Sequence, residues 1–171
     1  MFRTAKFSAI LVLFGLTSCA GASTCSFTKI DINAADTHKN DIFSGSSGHI
    51  EIRLNSEMND SLVELFPEPP LTIINKKTQT QCNINGGVWV RNSVFVSSNR
   101  STLATYEFSG SSGSLNFYDT TTCKMIATVD TSDYTWELTS SNLKMVRMGS
   151  KTKEKINYKI NSACKPVLKT R

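Results

Sequence analysis

The stretch SVFVSSNRSTLATYEFSGSSGSLNFYDTTTCKMIATVD, residues 93–130, decides the fold. It separates into four short runs rich in valine, threonine, phenylalanine and tyrosine, and the polar segments SSNRS, SGSSG and DTTTC lie between them. Apolar and β-branched runs that are bounded by Ser, Asn, Gly and Asp are typical of strands joined by tight turns. The sequence therefore predicts a four-stranded antiparallel meander over these residues.

The same pattern continues on both sides of this stretch. Residues 49–54 and 156–160 alternate between apolar and polar side chains, which is the period of a strand with one buried face, and the short runs 88–90 and 94–96 are also interpreted as strands. No segment shows the longer period of an amphipathic helix. We therefore predict an all-β, antiparallel fold of about ten strands, in a single domain that spans residues 19–171 behind a short N-terminal linker.

The meander at 93–130 resembles a blade of a β-propeller, down to the LNFYDTTT strand and turn at 115–122. Cys82, Cys123 and Cys164 lie 41 residues apart, and each follows a strand and a polar turn, a spacing typical of blade repeats. The exported chain holds about three and a half such units, whereas closed propellers use about four to eight blades. The resemblance implies an open stack of meanders, a sandwich or barrel, or a ring that a second chain completes.

The hexapeptide FSGSSG occurs twice, at 43–48 and 108–113. A phosphate-binding glycine loop leads from a strand into a helix, whose N-terminus stabilises the anion. Both copies here lead from one predicted strand into another, and neither ends in the Lys-Ser/Thr of a P-loop. We interpret both as hairpin loops, which could still border a binding face if they lie at one end of the fold.

The N-terminus has the features of an export signal. Arg3 and Lys6 precede an apolar run at 7–16 that is too short to span a membrane, and small residues follow. Leu16-Thr17-Ser18-Cys19 resembles the lipobox of bacterial lipoproteins, which implies a signal peptide at 1–18, lipidation of Cys19 and sorting to the outer membrane. Ordinary cleavage after Ala22 is the alternative and gives a signal peptide at 1–22.

Removal of Cys19 leaves an even set of four cysteines: Cys25, Cys82, Cys123 and Cys164. Four cysteines in an exported chain predict two disulfides in an oxidising compartment. We prefer the pairing Cys25–Cys82 with Cys123–Cys164 among the three that are possible. No two cysteines have CxxC spacing, and no histidine lies beside a cysteine, so the sequence does not indicate a metal site. We also find no cofactor motif.

The sequence contains no recognised catalytic motif, so we predict that the protein is not an enzyme. Its histidines, His38 and His49, lie on either side of the first FSGSSG and are interpreted as surface residues. Asp130, Asp133 and Glu137 cluster around one predicted turn and could flank a glycosidic bond or bind calcium, although the residue order of an EF-hand loop is absent. Their role as turn residues is the preferred interpretation.

Charge is distributed unevenly along the chain. Residues 20–70 hold three basic and eight acidic side chains, whereas residues 144–171 hold nine basic and one acidic. Strand alternation puts Lys151, Lys153, Lys155 and Lys159 on one face of the last predicted long strand. This lysine row predicts a site for an anionic macromolecule or an acidic protein, with solvation of an exposed strand as the alternative.

Taken together, these features predict a non-enzymatic binding protein that is exported to the bacterial cell envelope. Small envelope inhibitors and immunity proteins have the same profile, so we expect a lipid-anchored protein of that kind at the periplasmic face of the outer membrane, or a secreted form. An accessory subunit of an envelope assembly is the alternative, and a hydrolase is the third. Nucleic acid is not expected as a partner, because nucleic-acid sites combine aromatic and basic groups, and Tyr158 points to the core side of the last predicted long strand, away from the lysines.

Overall fold

In a computed structural model, the structure describes residues 25–35, 41–58, 60–67, 70–149 and 154–169. The export signal and Cys19 lie outside these ranges, so their predictions are not tested there. The regular secondary structure of the described residues consists of antiparallel β-strands, which confirms the predicted all-β antiparallel fold. These residues contain no helix that is long and apolar enough to cross a membrane.

The described residues form fifteen strands, more than the predicted ten, because several edge strands are only two or three residues long. In chain order they are β1 (Phe27–Lys29), β2 (Asn33–Ala34), β3 (Ile42–Ser47), β4 (Ile50–Asn55), β5 (Leu65–Pro67), β6 (Leu71–Asn75), β7 (Thr80–Ile84), β8 (Val88–Ser97), β9 (Thr102–Ser109), β10 (Ser112–Asp119), β11 (Met125–Asp130), β12 (Tyr134–Leu138), β13 (Asn142–Arg147), β14 (Lys155–Ile160) and β15 (Pro166–Leu168).

These strands make three antiparallel sheets that follow one another along the chain. The first sheet has the order β2-β3-β4-β6-β7, and the third has the order β12-β13-β14-β15. The central sheet has the order β1-β8-β9-β10-β11, and β5 pairs with a second part of β8. The predicted meander at 93–130 is confirmed as β8 to β11 of the central sheet.

Both faces of the central sheet are covered. Leu103 and Ala104 are neighbours on β9, point to opposite faces, and are both fully buried. Leu103 packs in a cluster with Ile52 and Ile73 of the first sheet. Ala104 packs in a second cluster with Met145 of the third sheet. The fold is therefore a stack of three meanders with the central sheet in the middle and one apolar core on each side of it.

The two disulfides each join neighbouring sheets, and the preferred pairing was wrong. Cys82 of β7 bonds to Cys123 in the β10–β11 turn, and Cys25 bonds to Cys164 after β14. The first strand explains the error, because β1 leaves its neighbours in sequence and pairs with β8 in the central sheet. There the Phe27 N–H donates to the Ser140 carbonyl at 2.9 Å, which brings Cys25 to the third sheet.

Candidate functional site

The second FSGSSG forms a tight hairpin at one end of the central sheet. Ser109 pairs with Ser112, so the turn consists of Gly110 and Ser111 alone. Gly110 has a φ of 60°, a conformation that the first position of such two-residue turns requires. The interpretation of this copy as a hairpin loop, not a phosphate loop, is confirmed.

A pocket of about 370 Å³ opens beside this hairpin. This volume lies within the range of small-ligand sites. Residues from β9, β10 and β11 line it, together with one residue that precedes β8 and one that follows β11. They are Gly87, Glu107, Phe108, Ser109, Ser112, Gly113, Ser114, Thr128, Asp130 and Ser132. We call this the tip pocket.

Strand register explains why two carboxylates face each other across the tip pocket. Ser114 of β10 is directly opposite Glu107 of β9 on one side and Asp130 of β11 on the other. Directly opposed residues of antiparallel strands point to the same face of the sheet. Two strand spacings separate the acidic backbones by about 10 Å, and the small Ser114 side chain leaves the space between them open.

Glu107 is buried, with only 6% of its surface exposed. The hydroxyls of Thr105 and Tyr118 both donate to its Oε1 atom, at 2.8 and 2.7 Å. Its other oxygen, Oε2, lies beneath Gly86, where an added Cβ would come within 3.0 Å of it. No donor within the described ranges is hydrogen-bonded to Oε2, and none of the ion pairs there includes Glu107.

The groups around Glu107 form a buried polar network. Burial and the hydrogen bond to Glu107 raise the pKa of Tyr118, so its hydroxyl remains a proton donor to the carboxylate. Deeper in the sheet, the Thr128 hydroxyl donates to Asn116 at 2.6 Å. Oε1 of Glu107 thus accepts two hydrogen bonds from within the fold.

Asp130 forms the opposite, solvent-exposed wall. The hydroxyl and the backbone N–H of Ser132 both donate to its Oδ1 atom, at 2.6 and 2.9 Å. These two hydrogen bonds lower the pKa of Asp130 below its usual value. The Asp130 wall of the tip pocket therefore carries negative charge at neutral pH.

Two carboxylates in one pocket raise the question of acid catalysis. A glycosidase needs one of its acids to hold a proton near neutral pH, which requires a raised pKa. The lowered pKa of Asp130 opposes this role for that residue. The two carboxylates that line the pocket suit it to the binding of a cation.

The predicted acid cluster does not form one site. Only Asp130 of the three lines the tip pocket. Asp133 lies 4.0 Å from the guanidinium of Arg147, and Glu137 is opposite Lys144 on the third sheet. These positions agree with the preferred interpretation of the acids as turn and surface residues.

The predicted lysine row is described only in its second half. Lys151 and Lys153 lie outside the described residues, as does His38. Lys155 and Lys159 are exposed on β14, and Ile156, Tyr158 and Ile160 alternate with them towards the core. The predicted alternation is therefore confirmed for the described part. Lys144 of β13, opposite Asn157, is exposed on the same face, and we call these three lysines the basic face.

Sequence reasoning missed Glu107 and the pocket that it lines. Alternation along β9 puts Tyr106 and Phe108 on one face and Glu107 on the other, which predicts a solvent-exposed glutamate. The Asn85-Gly86-Gly87 segment was a signal, because glycines allow a close approach to a neighbouring group. In the ranges that the structure describes, no cluster of His, Cys, Asp and Glu could hold a metal ion.

Fold and site together define a small, disulfide-bonded all-β protein with an acidic pocket suited to binding. A family model described as "Immune protein Tsi1" matches residues 25–169. The chain is also 33% identical over 132 residues to the Immune protein Tsi1 of Pseudomonas aeruginosa, and the alignment covers 76% of each chain. The chain belongs to the Tsi1 immune protein family.

Proposed function

We propose that this chain is an exported immunity protein, which protects the cell that makes it by binding a toxin and performs no chemistry of its own. Family membership carries this proposal, because the family match extends across all three sheets, from residue 25 to residue 169. The tip pocket supports it, since two carboxylates line it and suit the binding of a cationic group.

The export signal and the disulfides support a location in the cell envelope. Both bridges join separate sheets, and such bonds persist in oxidising compartments. We propose lipidation at Cys19 and a position at the periplasmic face of the outer membrane, where the protein would meet an incoming toxin. Cys19→Ala should move it from the membrane fraction to the soluble fraction, and unchanged fractionation would contradict lipidation.

The basic face supports a contact with an acidic region of the partner. Lys155 and Lys159 point into solvent, and Lys151 and Lys153 precede them in sequence. Exposed charges of one sign speed association with a partner of the opposite sign, and salt screens the effect. Changing Lys155 and Lys159 to Gln should therefore flatten the salt dependence of toxin binding, and an unchanged slope would return these lysines to solvation alone.

Growth competition tests the immunity function even before the toxin is identified. A strain that lacks the gene is mixed with its parent on a solid surface and, separately, in dilute liquid culture. We expect the deletion strain to lose viability in contact with its parent, and a plasmid copy of the gene to restore it. Equal survival of the two strains under contact would contradict the proposal.

Capture experiments then identify the toxin. The disulfide-bonded protein, tagged at its C-terminus, is recovered from the envelope of cells that are mixed with the parent strain. An immunity protein should hold one protein in a complex of fixed stoichiometry. Elution with a large envelope assembly in every strain background would instead favour the accessory-subunit alternative.

A further inference from the structure

We propose that the tip pocket receives an arginine side chain of the bound toxin, with Glu107 as its principal partner. This inference rests on the proposed function, because it names the group through which the toxin is recognised. The observation behind it is that the buried carboxylate of Glu107 forms no ion pair with the described residues of its own chain.

Glu107 can take a further partner, because its Oε2 atom accepts no hydrogen bond from the described residues. A buried carboxylate is costly unless a cation or several hydrogen bonds offset its lost hydration. Two hydroxyls bind Oε1, while Oε2 has no hydrogen-bond donor within the described residues. Glu51 of β4 shows the usual solution, because Arg53 and Lys76 both reach it, at 2.6 and 2.7 Å. At the tip pocket we expect the cation to come from the partner.

The geometry favours a guanidinium over a metal ion. Calcium and magnesium take about six or more oxygen ligands, and no group of three or more acidic, histidine or cysteine side chains in the described ranges could hold a metal ion. A guanidinium is planar and has five N–H donors in a fixed fork. It can span the pocket and donate to Glu107 on one side and to Asp130 on the other.

The remaining lining suits the rest of an arginine side chain. Serine hydroxyls at 109, 112 and 132 can accept hydrogen bonds near the mouth. The methyl group of Thr128, on the same face as Asp130, lies beside the same space and can cover part of the methylene stem. The pocket opens next to the exposed hairpin turn, so a side chain that projects from a protein surface can enter it.

A small probe tests the pocket independently of the toxin. The disulfide-bonded protein, labelled with nitrogen-15, is titrated with N-acetyl-arginine amide and with the uncharged isostere N-acetyl-citrulline amide. Saturable shifts of the amides of Gly87, Phe108 and Ser114 are expected with the arginine compound only. Glu107→Gln should weaken this binding about tenfold, the loss of one charge-assisted hydrogen-bonded contact.

Glu57→Gln is the matched control, because it removes the same charge from an exposed glutamate just beyond β4 of the first sheet. It should bind the probe as the unchanged protein does. Equal shifts with arginine and citrulline amides, or equal affinity in Glu107→Gln, would overturn the proposal. Thermal melting of both variants shows whether they are folded, so that the absence of chemical-shift changes can be assigned to lost binding and not to unfolding.

The competition assay separates this inference from the immunity function. If immunity holds and the pocket binds arginine, Glu107→Gln should protect cells less well than Glu57→Gln. Full protection by Glu107→Gln would overturn the role of the pocket while leaving immunity intact. If deletion of the gene has no effect, immunity fails, and the probe titration still decides whether the pocket binds a guanidinium.

Discussion

The two FSGSSG hexapeptides are identical in sequence and differ in where the chain turns. In the second copy the turn is Gly110-Ser111, in the middle of the hexapeptide. In the first copy β3 runs through five of the six residues, and the turn is Gly48-His49 at its end. Both turns begin with a glycine at a positive φ, near 60°. The same six residues therefore supply either the strand or the turn.

Flanking residues decide between the two registers. The turn at Gly48 places Phe43 opposite Leu54, and both are fully buried in the first core. A turn at Gly45 would shift this pairing and remove that contact, since register fixes which side chains face the core. In the second copy the turn at Gly110 places Tyr106 opposite Leu115, on the face that packs against the third sheet.

Each hairpin also carries one glutamate, and these differ in their partners. Glu51 of the first hairpin is opposite Ser46 and pairs with two cations, Arg53 of β4 and Lys76 of the β6–β7 turn. Glu107 of the second hairpin is opposite Ser114 and belongs to no ion pair among the described residues. The glutamate of the first hairpin is thus satisfied within the fold, whereas that of the second is available to an external group.

The disulfide that joins the two hairpin-bearing sheets offers the largest test. Changing Cys82 and Cys123 together to Ser should lower the free energy of unfolding by about 4 kcal/mol, because the bridge closes a loop of 41 residues. Urea unfolding followed by tryptophan fluorescence measures this. Amide exchange should quicken more in the first sheet than in the third. A loss below about 1 kcal/mol would mean that the packed core alone holds the sheets together.

Alanine substitutions of one glycine in each FSGSSG hexapeptide should give the next largest difference in stability. In Gly45→Ala the new Cβ would collide with the Asp31 carbonyl oxygen and lie 2.7 Å from Cγ2 of Ile30, so the backbone must move. We expect a loss of about 3 kcal/mol. Gly110 has no heavy atom within 4 Å of such a Cβ, and Gly110→Ala should cost only about 1 kcal/mol from its positive φ. Equal losses in urea unfolding would contradict the different roles of the two copies.

The paired glutamate gives a smaller and pH-dependent effect. The hydrogen bond from Lys76, supported by Arg53, lowers the pKa of Glu51 from its usual 4.5. As the pH falls, the unfolded carboxyl takes up its proton first, so this stabilisation is complete above about pH 5 and is lost as the pH passes through the lowered pKa. Glu51→Gln should therefore cost about 1 kcal/mol at pH 7 and little at about pH 3. A cost that is the same at both pH values would exclude an ionic origin.

The unpaired glutamate gives the smallest effect on stability. Glu107→Gln keeps an oxygen that accepts the Thr105 and Tyr118 hydroxyls and removes a charge that belongs to no described ion pair. We expect the free energy of unfolding to change by less than about 0.5 kcal/mol. Urea unfolding of Glu107→Gln and Glu51→Gln at pH 7 compares the changes in the free energy of unfolding that the two substitutions cause. A loss of about 2 kcal/mol or more would show that the charge of Glu107 is already compensated within the fold.

Much of the architecture was predictable because strand formation depends on short stretches of the sequence. The alternation of Ile156, Tyr158 and Ile160 with the lysines indicated one face turned towards the core, and the structure has it so. The four strands of residues 93–130 followed from their turns. The disulfide pairing was not predictable, because it depends on the departure of β1 to the central sheet, which no local pattern records.

The sequence by itself determined the β-strands, most of their turns and the number of cysteines available for bridges, because each depends on neighbouring residues or on composition alone. Only the tertiary structure decided which glycine of each FSGSSG turns the chain, which cysteines meet, and where Glu107 lies. Alternation along β9 makes Glu107 look exposed when one face of a sheet is assumed to meet solvent. Because two sheets cover the central one, that outer face is also interior, and the glutamate becomes the buried wall of a pocket.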